Sequence, residues 1–135
     1  MIKSISHYRS NKNIKFSCQY HIIWCTKFRR DLLKNEVEVD LKDIIKELCI
    51  EKSVDLIEME VMPDHIHLLV DIDPQYGPHL FIKNAKGRSS RFLREKHKSC
   101  RSRVPTLWTN SYFISTVGGV SLDVVKQYIE EQKNA

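Results

Sequence analysis

The sequence predicts an α+β fold: one antiparallel sheet with helices packed on one face, and a further helix after the last strand. Three observations carry this reading. Four segments read as strands and three as helices, in the order β-α-β-β-α-β-α. The two middle strands are separated only by Pro63-Asp64, which makes them antiparallel neighbours. Gly118-Gly119 then breaks the chain before the last helix.

The elements follow in order. Residues 16–27, FSCQYHIIWCTK, place Phe16, Cys18, Tyr20, Ile22 and Trp24 on one face of a strand. KFRRDLLKN is a basic connector. Asn35 and Glu38 predict an N-cap with a capping-box partner. Val37, Leu41, Ile44, Ile45 and Leu48 then form the apolar stripe of a helix over 36–52. Residues 54–62 and 65–73 are the next two strands. A tight turn at Pro63-Asp64 pairs Val61 with Ile66, Met59 with Leu68 and Ile57 with Val70, all apolar, on one face. The other face pairs Met62 with His65 and Glu60 with His67. After PQYGP, the residues Phe81, Ile82, Ala85, Phe92 and Leu93 mark the buried side of a second helix. KSCRSRVP reads as a basic loop, 111–117 as the fourth strand and 121–133 as the final helix. The first six elements match the ferredoxin-like split βαβ arrangement. We read residues 1–135 as one domain, with a core over about 14–117, a joint at 118–119 and the last helix over about 121–133.

A chain of 135 residues buries a real core without disulfides. Its 41% apolar and 29% charged residues are those of a folded protein, not a disordered tail. A net charge of +5 and a pI near 9.0 lean towards a polyanionic partner. Cys18, Cys25, Cys49 and Cys100 form no CxxC pair or zinc-ribbon spacing and read as reduced thiols. The start of the chain lacks the apolar core of an export signal, and no apolar run reaches membrane-spanning length. A cytoplasmic protein, associated with the nucleoid when bound to DNA and not with a membrane, is the expectation.

In VMPDHIHLLVDID, His65 and His67 share one strand face while Ile66, Leu68, Val70 and Ile72 share the other. The histidines therefore point away from the core, towards solvent or a site. Two imidazoles at this spacing can converge on one ion, but HxH in a strand is also a common pair of half-exposed residues. In SLDVVKQYIEEQ, Leu122, Val125 and Ile129 form an apolar stripe, and Val124, Tyr128 and Gln132 lie four residues apart on an adjoining face. Tyr128 and Gln132 can thus reach one point in space. A core tyrosine beside a solvated glutamine is the plain alternative.

Taken with YHIIWCTKFRR at 20–30, MPDHIHLLVDI at 62–72, KGRSSRFLR at 86–94, LWTNSYFISTVGG at 107–119 and VVKQYIEEQ at 124–132, the pattern extends over nearly the whole chain. It resembles the small single-tyrosine HUH transposases (TnpA-type) of bacterial insertion sequences that move as single-stranded DNA. The resemblance implies that His65 and His67 are metal ligands, Gln132 the third ligand and Tyr128 the nucleophile. It further implies Mg²⁺ or Mn²⁺, a 5′-phosphotyrosine with a free 3′-OH, and a substrate of single-stranded DNA with a hairpin. A homodimer whose active site is shared between subunits is also implied, with Gly118-Gly119 as the hinge. The chain ends three residues after Gln132, where some relatives continue into a longer tail.

Reversible breakage of a phosphodiester without ATP favours a covalent intermediate that keeps the bond energy. From the strand register, Glu60 lies across from His67 and is a candidate to orient that imidazole or a solvated strand residue. Lys83, Lys86, Arg88, Arg91 and Arg94 crowd the second helix, and Lys27, Arg29, Arg30, Arg101 and Arg103 lie in connectors. Such density suits phosphate contacts, although charge runs usually form solvated faces. Trp108, Tyr112 and Phe113 are candidates for stacking on bases or for core packing. Three other readings remain open: a non-catalytic single-stranded nucleic-acid-binding module, a metal-dependent hydrolase, and a host-retained hairpin-processing relative.

Overall fold

The computed structural model describes residues 8–117 and 122–135. A small hairpin of β1 (Arg9–Ser10) and β2 (Lys15–Phe16) precedes the main sheet. That sheet contains β3 (Gln19–Cys25), β4 (Asp55–Met62), β5 (His65–Asp71) and β6 (Phe113–Thr116) in the order β4-β5-β3-β6, with every neighbouring pair antiparallel. The helices are α1 (Glu36–Glu51), α2 (Pro78–Lys96), the short α3 (Lys98–Ser102) and α4 (Leu122–Glu131). The core lies between one sheet face and the pair α1 and α2. Ile22, Trp24, Ile66, Leu68 and Val70 meet Leu41, Ile45, Leu48, Phe81, Ile82 and Leu93 there. This is the predicted ferredoxin-like arrangement with α4 added.

The middle hairpin keeps the predicted register at Val61–Ile66, Met59–Leu68, Met62–His65 and Glu60–His67. Pro-Asp is not a favoured two-residue turn, and here the connector fastens it. The Pro63 carbonyl accepts from the Leu32 N–H at 3.0 Å and the Leu33 N–H at 2.9 Å, and the Asp64 carbonyl from the Thr26 N–H at 3.0 Å. Farther along, the pairing of Ile57 with Val70 gives way to a bulge. Leu56 takes the place opposite Val70, and Ile57 is left 41% exposed.

Four other expectations change. Phe16 lies in the separate β2, because the main strand begins only at Gln19. Asn35 does precede α1, but its side chain makes no cap bond; it adopts a left-handed φ of 57°, and Glu38 pairs with Lys42 instead. On α2 the buried position falls to Ser89, while Phe92 is 44% exposed beneath the Lys96 ammonium. The basic loop contains α3, because Cys100 and Val104 are buried and anchor it. The Gly118-Gly119 joint lies outside the described residues. No described helix is long and apolar enough to cross a membrane.

Candidate active site

Strand alternation sends Ile66, Leu68 and Val70 into the core and leaves His65 and His67, both half-buried, on the opposite face. The register places Cys25 beside His65, and Ile23 between His67 and Phe113. Ile23 and Cys25 belong to this outer face, yet they are only 1% and 0% exposed. α4 lies over this face at Phe113, the neighbour of Ile23. The ring of Tyr128 lies 5.5 Å from that of Phe113, so the tyrosine of this chain sits over the same sheet face as its own histidines.

Tyr128 and Gln132 converge as their spacing predicts, and Ser111 joins them. The Tyr128 hydroxyl is 3.0 Å from Ser111 Oγ, which donates to Gln132 Oε1 at 3.1 Å. Gln132 is 7% exposed, unlike an ordinary surface glutamine. Lys86 holds the loop that presents Ser111, donating to the carbonyls of Thr109 at 2.6 Å and Ser111 at 3.2 Å.

Each histidine has a polar neighbour. His65 Nδ1 lies 2.8 Å from Asp64 Oδ1, and Asp64 Oδ2 accepts from Arg29 Nε at 2.9 Å. Burial works to raise the Asp64 carboxyl, but the bonds from His65 and Arg29 outweigh it and hold it below the usual carboxylate range. An ionised Asp64 fixes the Nδ1–H tautomer of His65 and leaves its Nε2 free to ligate. His67 Nε2 lies 3.2 Å from His21 Nδ1. Burial, then His21, pushes the His67 imidazole down, towards the neutral form that binds metals. Burial also raises the Tyr128 phenol, against the opposing Ser111 bond. The Cys25 thiol is pushed up to about 12, first by burial and then by Asp64, which makes it inert.

No group of three His, Cys, Asp or Glu residues among the described residues is arranged to hold a metal. The chemistry of two imidazoles and an amide oxygen, those of His65, His67 and Gln132, would suit a divalent ion completed by water and phosphate oxygens. Glu60 is opposite His67, as predicted, and its charge favours the cationic form of that ring, but the ring nitrogen meets His21.

The basic candidates separate into two groups. Arg88 pairs with Glu51, Arg94 donates to the carbonyls of Cys100 and Val104, Arg101 to those of Arg94 and Glu95, and Arg103 to that of Asp31. Arg29 and Lys86 are engaged as described above, and the Lys27 ammonium lies over the Phe28 ring. Lys83 and Arg91, with Asn84, Gly87 and Arg88, line an open cleft on α2. Of the aromatic candidates, Trp108 is buried, Tyr112 bonds to His79 and Phe113 packs on Tyr128. Asp64, Ser111 and His21 escaped the sequence reading. Asp64 read only as a turn residue, and Ser111 read as the first residue of the fourth strand, which in the structure begins only at Phe113.

A family model described as IS200-like transposase matches residues 14–132. The chain is 35% identical over 126 residues to the ISDra2 transposase TnpA of Deinococcus radiodurans, covering 92% of this chain and 90% of that protein. It is 32% identical over 136 residues to the transposase for insertion sequence element IS200 of Salmonella typhimurium, covering 97% and 86%. A crystal structure of a candidate transposase from Deinococcus radiodurans superposes with a TM-score of 0.85 at 33% identity, covering 94% of this chain and 99% of that one. A REP-associated tyrosine transposase bound to a REP hairpin shares the fold, with a TM-score of 0.57 at 10% identity over 91% and 67% of the two chains.

Proposed function

The chain belongs to the IS200-like transposase family, and we propose that it cleaves and rejoins single-stranded DNA at insertion-sequence ends through a 5′-phosphotyrosine on Tyr128. The observation that carries the reading is the meeting of Tyr128, Ser111 and Gln132 above the sheet face that presents His65 and His67. A module that only bound nucleic acid would have no use for a buried glutamine linked through Ser111 to a tyrosine hydroxyl.

In the proposed reaction the Tyr128 oxygen attacks the scissile phosphorus. The phenol gives up its proton as the tyrosyl O–P bond forms and the bond to the 3′-oxygen breaks. That oxygen takes up a proton and leaves as a free 3′-OH, so the proton count is unchanged overall. A later 3′-OH reverses the exchange on the retained phosphodiester, so no external energy source is needed. His65, His67 and Gln132 would hold Mg²⁺ or Mn²⁺, which supplies Lewis-acid polarisation of the phosphate. Asp64 orients His65 for that role, and Glu60 adds negative charge beside His67. Ser111 fixes the phenol oxygen, and burial keeps the phenol protonated at rest. The exposed cations of α2 would hold the DNA backbone.

Single-stranded DNA with a hairpin is the proposed substrate, and the hairpin bound by a protein of the same fold supports that form. A homodimer at work on the nucleoid in the cytoplasm completes the proposal, with exchange of the tyrosine helices between subunits as the alternative to the same-chain docking seen here. The test is to incubate the protein with Mg²⁺ or Mn²⁺ and a single-stranded oligonucleotide containing the hairpin and its flank. A denaturation-resistant protein–DNA adduct is expected from the wild type. Tyr128→Phe should bind the hairpin equally well in a gel shift yet form no adduct; an adduct from that variant refutes the assigned nucleophile.

A further inference from the structure

The turn after β3 adopts a conformation that its sequence does not favour. Phe28 and Arg29 have φ of 56° and 51°, the left-handed region, with no glycine to ease either position. Four bonds hold them there. The Thr26 hydroxyl donates to the Arg30 carbonyl at 2.7 Å, and the Arg29 N–H to the Thr26 carbonyl at 3.0 Å. The Lys27 N–H donates to the Leu107 carbonyl at 2.9 Å, and the Phe28 N–H to the Ala135 carbonyl at 2.8 Å, tying the turn to the segment that follows the tyrosine helix. The result of this conformation is the placement of one side chain, Arg29, between two elements distant in sequence.

Arg29 uses different nitrogens for the two. Its Nε donates to Asp64 on the β4–β5 turn, and one terminal nitrogen donates to Glu130 Oε2 on α4 at 3.2 Å. The other carboxylate oxygen of Asp64 meets His65 Nδ1. A continuous chain of charged and polar bonds therefore runs Glu130–Arg29–Asp64–His65. Because the guanidinium is planar and rigid, the direction of one of its bonds fixes the direction of the next. The arginine side chain is only 21% exposed, whereas Glu130 is 63% exposed and also pairs with Lys133.

We propose that Arg29 is a positioning residue that couples docking of the tyrosine helix to the orientation of His65. With α4 docked, Glu130 and Asp64 hold the guanidinium from both sides, and Asp64 holds the imidazole with Nε2 presented to the site. When the helix leaves, Arg29 loses one of its two carboxylates, and Asp64 and His65 lose the restraint behind them. The histidine site thereby registers whether the nucleophile is in place. This inference rests on the functional reading above for the roles of Tyr128 and His65, but its measurement does not depend on DNA cleavage.

The test uses the full chain labelled with ¹⁵N and follows the imidazole nitrogens of His65 at one fixed pH near neutrality. Glu130→Gln does not touch His65 and alters an exposed side chain, so the fold is expected to survive. The coupling requires it to shift or broaden the His65 Nδ1 signal, with Arg29→Gln doing so more strongly and Arg29→Lys restoring part of the wild-type signal. Amide exchange over residues 122–135 should rise about two- to fivefold in Glu130→Gln while α1 is unchanged, and Mn²⁺ binding without DNA should weaken several-fold. An unaltered His65 signal in Glu130→Gln overturns the proposal. So does a result in which Arg29→Gln changes only DNA affinity, which would make Arg29 a phosphate contact. Failure of the transposase reading is separate: it appears as a wild-type protein that forms no DNA adduct.

Discussion

The Ser111 hydroxyl has one proton to give, and its neighbours determine where it goes. Gln132 Oε1 can only accept, so Ser111 donates to it, and the Tyr128 phenol donates to the serine oxygen. The serine therefore sets the direction of the phenol proposed as nucleophile and holds the amide oxygen proposed to meet the metal. Ser111→Ala removes both bonds without adding bulk. Loss of one such bond costs about 1 kcal/mol, so single-turnover adduct formation should slow roughly fivefold. Ser111→Thr retains the hydroxyl and should preserve most of the rate. A Ser111→Ala enzyme as fast as the wild type would remove Ser111 from the site. Neither this serine nor Asp64 was legible from sequence, for a common reason. Alternation and helical spacing report which face a residue occupies, whereas Asp64 acts from a turn and Ser111 from the irregular segment just before β6, where no period exists. Tyr128 and Gln132 were legible because a helix converts a spacing of four into proximity.

Among the elements, α2 shows how apolarity and burial part company. Its buried positions are Phe81, Ile82, Ala85, Ser89 and Leu93, an unbroken helical stripe in which the fourth member is polar. Ser89 can be buried because its hydroxyl is fully engaged: it donates to the Ala85 carbonyl at 2.6 Å and accepts from Trp108 Nε1 at 3.0 Å. Trp108 in turn packs edge-on against Trp24, with centroids 5.9 Å apart, and so seats the segment that leads to Ser111. Reading by apolar character selects Phe92 in place of Ser89, since a sequence shows hydrophobicity but not hydrogen-bond satisfaction. Ser89→Ala should cost about 1–3 kcal/mol in urea unfolding, because the indole N–H would be left buried without a partner. Phe92→Ser should stay within about 0.5 kcal/mol; a larger loss there would mean that the contact of the ring with the Lys96 ammonium carries more than an exposed pair usually does. The β4–β5 register shows the opposite case. It was legible from Val61 to Ile66 because a slip by one residue would have sent every apolar side chain outward. At Ile57 the bulge exposes one apolar residue to restore Leu56, and a simple alternating pattern does not encode that exchange.

At the scale of the molecule, the net charge of +5 gives the sign of the partner but not the location of its contacts. Charge density alone did not reveal which cations are available. Arg94, Arg101 and Arg103 are engaged with backbone carbonyls, and Arg88 with Glu51, so these guanidinium groups have partners within the fold even where, as at Arg101 and Arg103, they stay exposed. Lys83 and Arg91 are two turns apart on α2, beside the cleft, and neither side chain has a hydrogen-bond or ion-pair partner among the described residues. This division predicts two different responses to mutation. A cation that neutralises a DNA phosphate releases counterions, so removing it lowers the slope of log affinity against log salt by about 0.7 to 0.9. Lys83→Ala and Arg91→Ala should each flatten the slope by that amount, and the double variant by their sum, when hairpin binding is titrated between about 50 and 200 mM salt. Arg94→Ala should leave the slope unchanged and instead lower the unfolding midpoint, since it strips two carbonyls of their donor. If Arg94→Ala flattens the slope while Lys83→Ala and Arg91→Ala do not, the DNA lies over the α3 side of the molecule and not over α2.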